Sequence, residues 1–237
     1  MNAWPALNTR LYDGWVLRFA QGYTRRANSV YPLYPATLDV RAKIAACESA
    51  YRQLGLRPVF KLTAAAQPPE LNALLDERGY EYEAPTSVQV ADLTAMNLDE
   101  AGSIELIEAV TDEWIAAFCR LSNAQDAHQP VMTAMLRRIR LPHAFAALRR
   151  GGAVVACGLV VLEDGWAGLH DIVTHPQHRN QGHARRLVRG LLAWAWARGA
   201  RTGWLGVLSN NLPAQRLYAG FGFAEQYQYW YRVAQEV

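Results

Sequence analysis

The chain has 237 residues, enough for one large domain or two small ones and for a real hydrophobic core. Its 51% hydrophobic, 19% charged and 11% aromatic residues exclude the disordered and fibrous classes, and no apolar run reaches the roughly 18 residues of a membrane span. The net charge is +3, carried by 22 Arg against only two Lys, Lys43 and Lys61, and no continuous basic stripe suggests a nucleic-acid surface. The N-terminus has no basic patch leading into an apolar segment. Cys47, Cys119 and Cys157 are widely spaced in apolar settings, so the expectation is a cytoplasmic protein with reduced thiols.

Asp13-Gly14-Trp15, followed by Val16, Leu17 and Phe19, reads as a turn entering a strand. Residues 23–31 form a dense polar and aromatic segment, and Arg25, Arg26, Asn28 and Tyr31 in it would suit recognition of a small polar or anionic molecule. The competing reading of that segment is a solvated loop. Residues 69–82 predict a helix ending at Arg78-Gly79-Tyr80, then a strand. The polar stretch 92–103 is the expected domain boundary, dividing the chain into 1–95 and 103–237.

Beyond the boundary the pattern is sharper. Residues 104–108 alternate as a strand, and Thr111 caps an amphipathic helix through Trp114, Ile115, Phe118 and Leu121. A second helix is expected over 131–139. Strands at 143–148, 153–162 and 166–173 predict an antiparallel meander, with Asp164-Gly165 as a hairpin signal between the last two. Residues 183–198 have helical periodicity closed by Gly199. A strand at 202–208, a short helix at 213–219 and an aromatic strand at 227–233 complete the series. The fold class is therefore α/β (α+β): a mixed, mostly antiparallel sheet flanked by helices. Asp13-Gly14-Trp15 echoes Asp164-Gly165-Trp166, and 69–82 echoes 213–223, which suggests a partial second copy in the first half.

The stretch Val173-Thr174-His175-Pro176-Gln177-His178-Arg179-Asn180-Gln181-Gly182-His183-Ala184 carries the chemistry. It joins an apolar strand to an amphipathic helix and contains Arg-x-x-Gly-x-Ala. Gly182 lets backbone approach a ligand, Ala184 keeps the first turn open, and the free N–H groups of the helix start make an anion site. Arg179 and Arg185 add charge suited to phosphate. About thirty residues on, Asn211-x-x-Ala214-x-x-Leu217-Tyr218 is followed by Gly220-Phe221-Gly222-Phe223. His175, His178 and His183 have no carboxylate or Cys at ligand spacing, so no metal is expected.

Together, in this order, the two motifs resemble the GNAT superfamily of CoA-dependent N-acyltransferases. The resemblance covers 104–237 well, while 8–93 looks like the degenerate leading half of two-domain members. It implies that Arg179, Asn180, Gln181, Gly182, His183, Ala184 and Arg185 hold the CoA pyrophosphate. Ile172, Val173 and Thr174 would bond the pantetheine arm through their backbone. Asn211 matches the family asparagine, and Tyr218 the tyrosine that protonates the departing thiolate. Some members carry a catalytic glutamate five residues before the asparagine, where this chain has Gly206. His170 and Asp171 are then the candidate bases; alternation places them on opposite faces, so at most one faces the acceptor, and His170 is preferred because its ordinary pKa lies near working pH.

The implied reaction is transfer of an acetyl group from acetyl-CoA, as co-substrate, to a primary amine of a small molecule or peptide, by direct attack through a tetrahedral intermediate. The acceptor would approach from the side opposite CoA, bounded by 123–131 and the region after Phe223. The alternative is a non-catalytic acyl-CoA-binding sensor or interaction protein. Nucleic acid and membrane are not expected partners, and the oligomeric state is left open between monomer and homodimer. No Arg-x-x-Gly-x-Gly/Ala turn occurs before residue 104, which predicts one CoA site per chain.

Overall fold

The structure is a computed structural model that describes residues 1–98 and 104–235. Part of the expected boundary segment 92–103 lies outside the described residues. The chain divides into two compact units, one of Met1–Ala3 with Val88–Gln226, the other of Trp4–Ser87 with the chain from Tyr227 onward. The backbone passes between units within β5 (Glu81–Asp92) and within β11 (Ala224–Val233).

The smaller unit is a sheet in the order β1-β2-β3-β4-β11, with β1 Asn8–Tyr12, β2 Trp15–Phe19, β3 Val30–Pro32 and β4 Val59–Thr63. Asp13 and Gly14 take positive φ (42° and 81°) in the tight β1–β2 hairpin, and a Cβ on Gly14 would lie 2.4 Å from the Pro35 carbonyl oxygen. The Asp13 carboxylate accepts from the backbone N–H groups of Thr37 and Leu38 and from the Thr37 hydroxyl, and it pairs with the fully buried Lys43 at 3.1 Å. Those bonds hold its pKa far below the usual carboxylate range. Helices α1 (Val40–Arg52, capped by Asp39) and α2 (Leu71–Glu77) cover one face of the sheet. Alternation sends Trp15, Leu17, Val30, Phe60 and Leu62 into that core, where they meet Ile44, Cys47, Tyr51 and Leu75.

β11 pairs antiparallel with β4, Tyr231 opposite Lys61. The last strand of the chain therefore completes the sheet of the first hundred residues. Local periodicity carries no information about that pairing, which sets residues about 170 positions apart side by side.

The larger unit has the order β5-β10-β9-β8-β7-β6. Here β6 is Glu105–Ile107, β7 His143–Arg150, β8 Ala153–Glu163, β9 Trp166–Thr174 and β10 Thr202–Leu208. The β7-β8-β9 meander is antiparallel as expected, and the β8–β9 turn uses Asp164 and Gly165 at φ 48° and 81°. β10 joins β9 in parallel. Helix α3 (Asp112–Ser122) is capped by Thr111, whose hydroxyl accepts from the Trp114 N–H, and it packs against β8 and β9. Helix α4 (Gln129–Leu136) follows it. Helices α5 (His183–Trp196) and α6 (Leu212–Ala219) share a core with the sheet. Leu187, Val188, Leu191 and Leu192 of α5 are fully buried there, each worth roughly 1.5–3 kcal/mol of burial. All three cysteines are free and buried. Among the described residues no helix is long and apolar enough to cross a membrane.

Candidate active site

Three local features build the site. The first is a bulge in β9. Leu159 pairs with His170 and Cys157 with Val173, so Gly158 alone stands opposite Asp171 and Ile172, and Asp171 takes φ 54°. Gly158 is required there because a Cβ would lie 2.5 Å from Ile172 Cδ1 and 3.0 Å from Leu187. The bulge interrupts the strict alternation on which opposite faces for His170 and Asp171 were expected, so that exclusion does not hold. His170 is buried and meets Trp204 edge-on, 5.3 Å between ring centres, over Gly168, where a side chain would collide with the indole. Asp171 is partly exposed.

The second feature is the end of the β9–β10 ladder. Its last pair is Leu205 with Leu169, although β9 continues to Thr174 and β10 to Leu208. Among the described residues no further ladder pair joins the strands beyond this point, which leaves a wedge lined by backbone of β9 over 170–174. The buried hydroxyl of Thr174 has no hydrogen-bond partner among the described residues; nor has that of Ser209, just past β10. Ser209 went unnoticed in the sequence because a lone serine after a strand carries no signal.

The third feature is the turn into α5. His175 N–H bonds to Val155 O, Asn180 takes φ 60° and Gly182 caps α5 at φ 76°. The helix ladder starts with Arg186 N–H to Gly182 O, so the N–H groups of His183, Ala184 and Arg185 have no partner within the helix. Arg179, Gln181 and Gly182 are exposed beside them. The His183 ring is buried with neither nitrogen hydrogen-bonded among the described residues, and burial, then Arg150, His178 and Arg186, hold its pKa below the ordinary value. His175, His178 and His183 follow one another at 5.5 and 6.1 Å between ring centres. Among the described residues no group of three or more His, Cys, Asp or Glu is placed to hold a metal.

Arg185 departs from the sequence expectation in direction. Its guanidinium lies 5.1 Å from the Phe221 ring centre, and with Arg189, Asp92 and Asn97 it lines a cavity of about 380 Å³. Asn211 caps α6, its side-chain Oδ1 accepting from the Ala214 N–H at 3.2 Å. Tyr218 is buried in α6 against Phe223, and burial pushes its pKa up to about 12. Its hydroxyl has no hydrogen-bond partner among the described residues.

In the smaller unit, Arg25 is exposed and pairs with Glu83. Asn28 is buried and spends its amide on the loop: Oδ1 accepts from Ala20 and Gly22, and Nδ2 donates to Thr24 O. It holds the loop and has little left for a ligand. Tyr31 donates to Arg26 O and accepts from Arg18.

Comparisons with known proteins show the family to which this fold belongs. Residues 1–232 match the family model described as "Probable histone acetyltransferase Rv0428c C-terminal". The chain belongs to this family. It is 26% identical over 234 residues to "Uncharacterized N-acetyltransferase YobR" of Bacillus subtilis, covering 98% of this chain and 94% of that protein. It is 28% identical over 241 residues to "Probable histone acetyltransferase Rv0428c" of Mycobacterium tuberculosis, covering 99% and 72%. Among solved structures, the fold matches a GCN5-related N-acetyltransferase from Kribbella flavida with TM-score 0.69 at 16% identity, covering 98% and 91%. The protein is an N-acetyltransferase of the GNAT type.

Proposed function

We propose that this enzyme transfers the acetyl group of acetyl-CoA to a primary amine of a small molecule or peptide, with one donor site per chain. The observation that carries this reading is the wedge past Leu169 and Leu205, opening beside the unbonded N–H groups of α5. A thioester with a long amide-bearing arm and a pyrophosphate needs just those two things: a strand edge for the arm and a helix start for the anion. The residues present fit it. Ile172, Val173 and Thr174 would offer backbone to the arm, and 179–184 would hold the pyrophosphate, with Arg185 at its margin. The orphaned Thr174 hydroxyl and the left-handed Gly182 support that assignment.

Acetyl-CoA supplies an activated carbonyl; the chain supplies proton management. A free amine has a pKa of roughly 7.7 to 10.4, so a base must take its proton, and His170 or Asp171 on β9 would do this, directly or through water. Backbone N–H groups of the bulged strand would stabilise charge developing on the carbonyl oxygen. Tyr218 would then protonate the thiolate. Its raised pKa keeps the proton on the phenol through the neutral range, and no internal bond competes for it. Asn211 acts by capping the helix that carries Tyr218.

We also read the smaller unit as a degenerate copy of the larger. The hairpins at Asp13-Gly14 and Asp164-Gly165 share the same positive-φ pair, which supports that reading. The test of function is release of free thiol from acetyl-CoA with a panel of small amines, amino acids and histone peptides. Acetylation of any member, lost in Tyr218→Phe, sustains the proposal. Acetyl-CoA binding with no acetylated product from any member would contradict it.

A further inference from the structure

The chain has two lysines, and the fold buries the ammonium of both in different ways. Lys43 sits beside a carboxylate, 3.1 Å from Asp13, over the ring of Trp15. Lys61 has no such partner. It lies on the face of β4 opposite Phe60 and Leu62, the face that α1 and α2 leave uncovered. Its Nζ is 3.6 Å from the Tyr229 ring centre and 5.1 Å from that of Tyr31, and among the described residues it makes no ion pair or hydrogen bond. On the same face Arg18, buried, donates to the carbonyls of Trp4 and Arg26 and to the Tyr31 hydroxyl, and Arg26 lies over Trp4.

A mostly buried ammonium between tyrosine rings and two guanidinium groups costs stability. Aromatic faces return only part of that cost, and a methionine of similar length would avoid it. We propose that Lys61 is the centre of an oxyanion site in the smaller unit, flanked by the positive charges of Arg18 and Arg26, which takes a carboxylate or phosphate group. The anion site stands on its own geometry. Burial and the neighbouring Arg26 and Arg18 push the Lys61 pKa down to about 7, the response of a cation kept without its counter-charge. Neither Lys61 nor Arg18 stood out in the sequence, where each is a single basic residue in an apolar strand.

The test is calorimetric titration of the full chain with inorganic phosphate and with succinate, against the neutral diamide of succinate, in wild type, Lys61→Met and Lys61→Arg. Binding of phosphate or succinate but not the diamide is expected, weakened at least tenfold in Lys61→Met and largely kept in Lys61→Arg. Phosphate alone identifies a phosphorylated ligand, and succinate alone a carboxylated one. No binding of either anion to wild type, or equal binding to folded Lys61→Met, overturns the site. Acetyl-CoA is titrated into the same samples. Wild type that binds acetyl-CoA but no anion defeats this inference alone, and wild type that binds an anion but no acetyl-CoA defeats only the donor reading.

Discussion

Leu169 and Leu205 form the last pair of the parallel ladder between β9 and β10, and the wedge begins immediately beyond them. Everything assigned to donor binding lies past that pair on β9, on the turn that follows it or in the first turn of α5. The leucines themselves are buried in the core beneath α5, so the strands are pinned on one side of the opening.

Tyr218→Phe separates chemistry from packing. The phenol hydroxyl has no hydrogen bond to lose, so stability should change by less than about 0.5 kcal/mol. Loss of the acid should lower kcat by roughly 10²- to 10⁴-fold with the acetyl-CoA Kd nearly unchanged. Steady-state kinetics beside a denaturant titration checks both, and unchanged kcat removes Tyr218 from the mechanism.

Asn211 should behave as a cap. Asn211→Ala is expected to cost about 1 kcal/mol, and Asn211→Ser, which can still accept from Ala214 N–H, should restore most of it together with activity. If Asn211→Ser is as inactive as Asn211→Ala while regaining stability, the side chain has a direct catalytic part.

The base is tested by the pH–rate profile. His170→Gln should flatten the acidic limb of kcat/KM, whereas Asp171→Asn should leave that limb in place if His170 is the base. An acidic limb unchanged in His170→Gln and lost in Asp171→Asn would move the role to Asp171.

Much of the larger unit was legible because its signals are local. The strand at 202–208, the Asp164-Gly165 turn and the Thr111 cap appear where periodicity and turn chemistry put them. Two things were not legible. The bulge at Asp171 depends on Gly158 in the neighbouring strand, and no pattern within β9 announces it. Likewise, Asn28 looks like a binding residue by type, but its amide is consumed by Ala20, Gly22 and Thr24 once the loop closes. Residues 179–184 could be proposed from the sequence for the opposite reason: glycine at a helix start signals exposed backbone, and Gly182 does cap α5.

Lys61 gives a pH signature in stability. Its pKa falls from 10.5 to about 7 in the folded chain, where it faces Arg18, Arg26, Tyr31 and Tyr229. Between those values the unfolded chain holds a proton the folded chain has lost, so this group makes stability rise with pH from about 7 upward. Urea midpoints at pH 6 and pH 8.5 should show wild type gaining on Lys61→Met as pH increases. A constant difference between the two proteins would show that Lys61 titrates normally.

Gly14→Ala tests the hairpin of the smaller unit. The added Cβ would meet the Pro35 and Tyr34 carbonyl oxygens at 2.4 and 2.7 Å at a backbone φ of 81°, and backbone has little room to yield. A loss of about 2 kcal/mol or more is expected in denaturant unfolding. A loss below about 0.5 kcal/mol would show that the turn relaxes freely.

The most direct test of the account is calorimetric titration of the full chain with acetyl-CoA, CoA and ATP. The wedge and the helix start together predict one site per chain for acetyl-CoA and for CoA, and no comparable binding of ATP, which lacks the pantetheine arm. No binding of acetyl-CoA, or two equivalent sites per chain, would contradict the assignment of the donor site to β9 and the turn into α5.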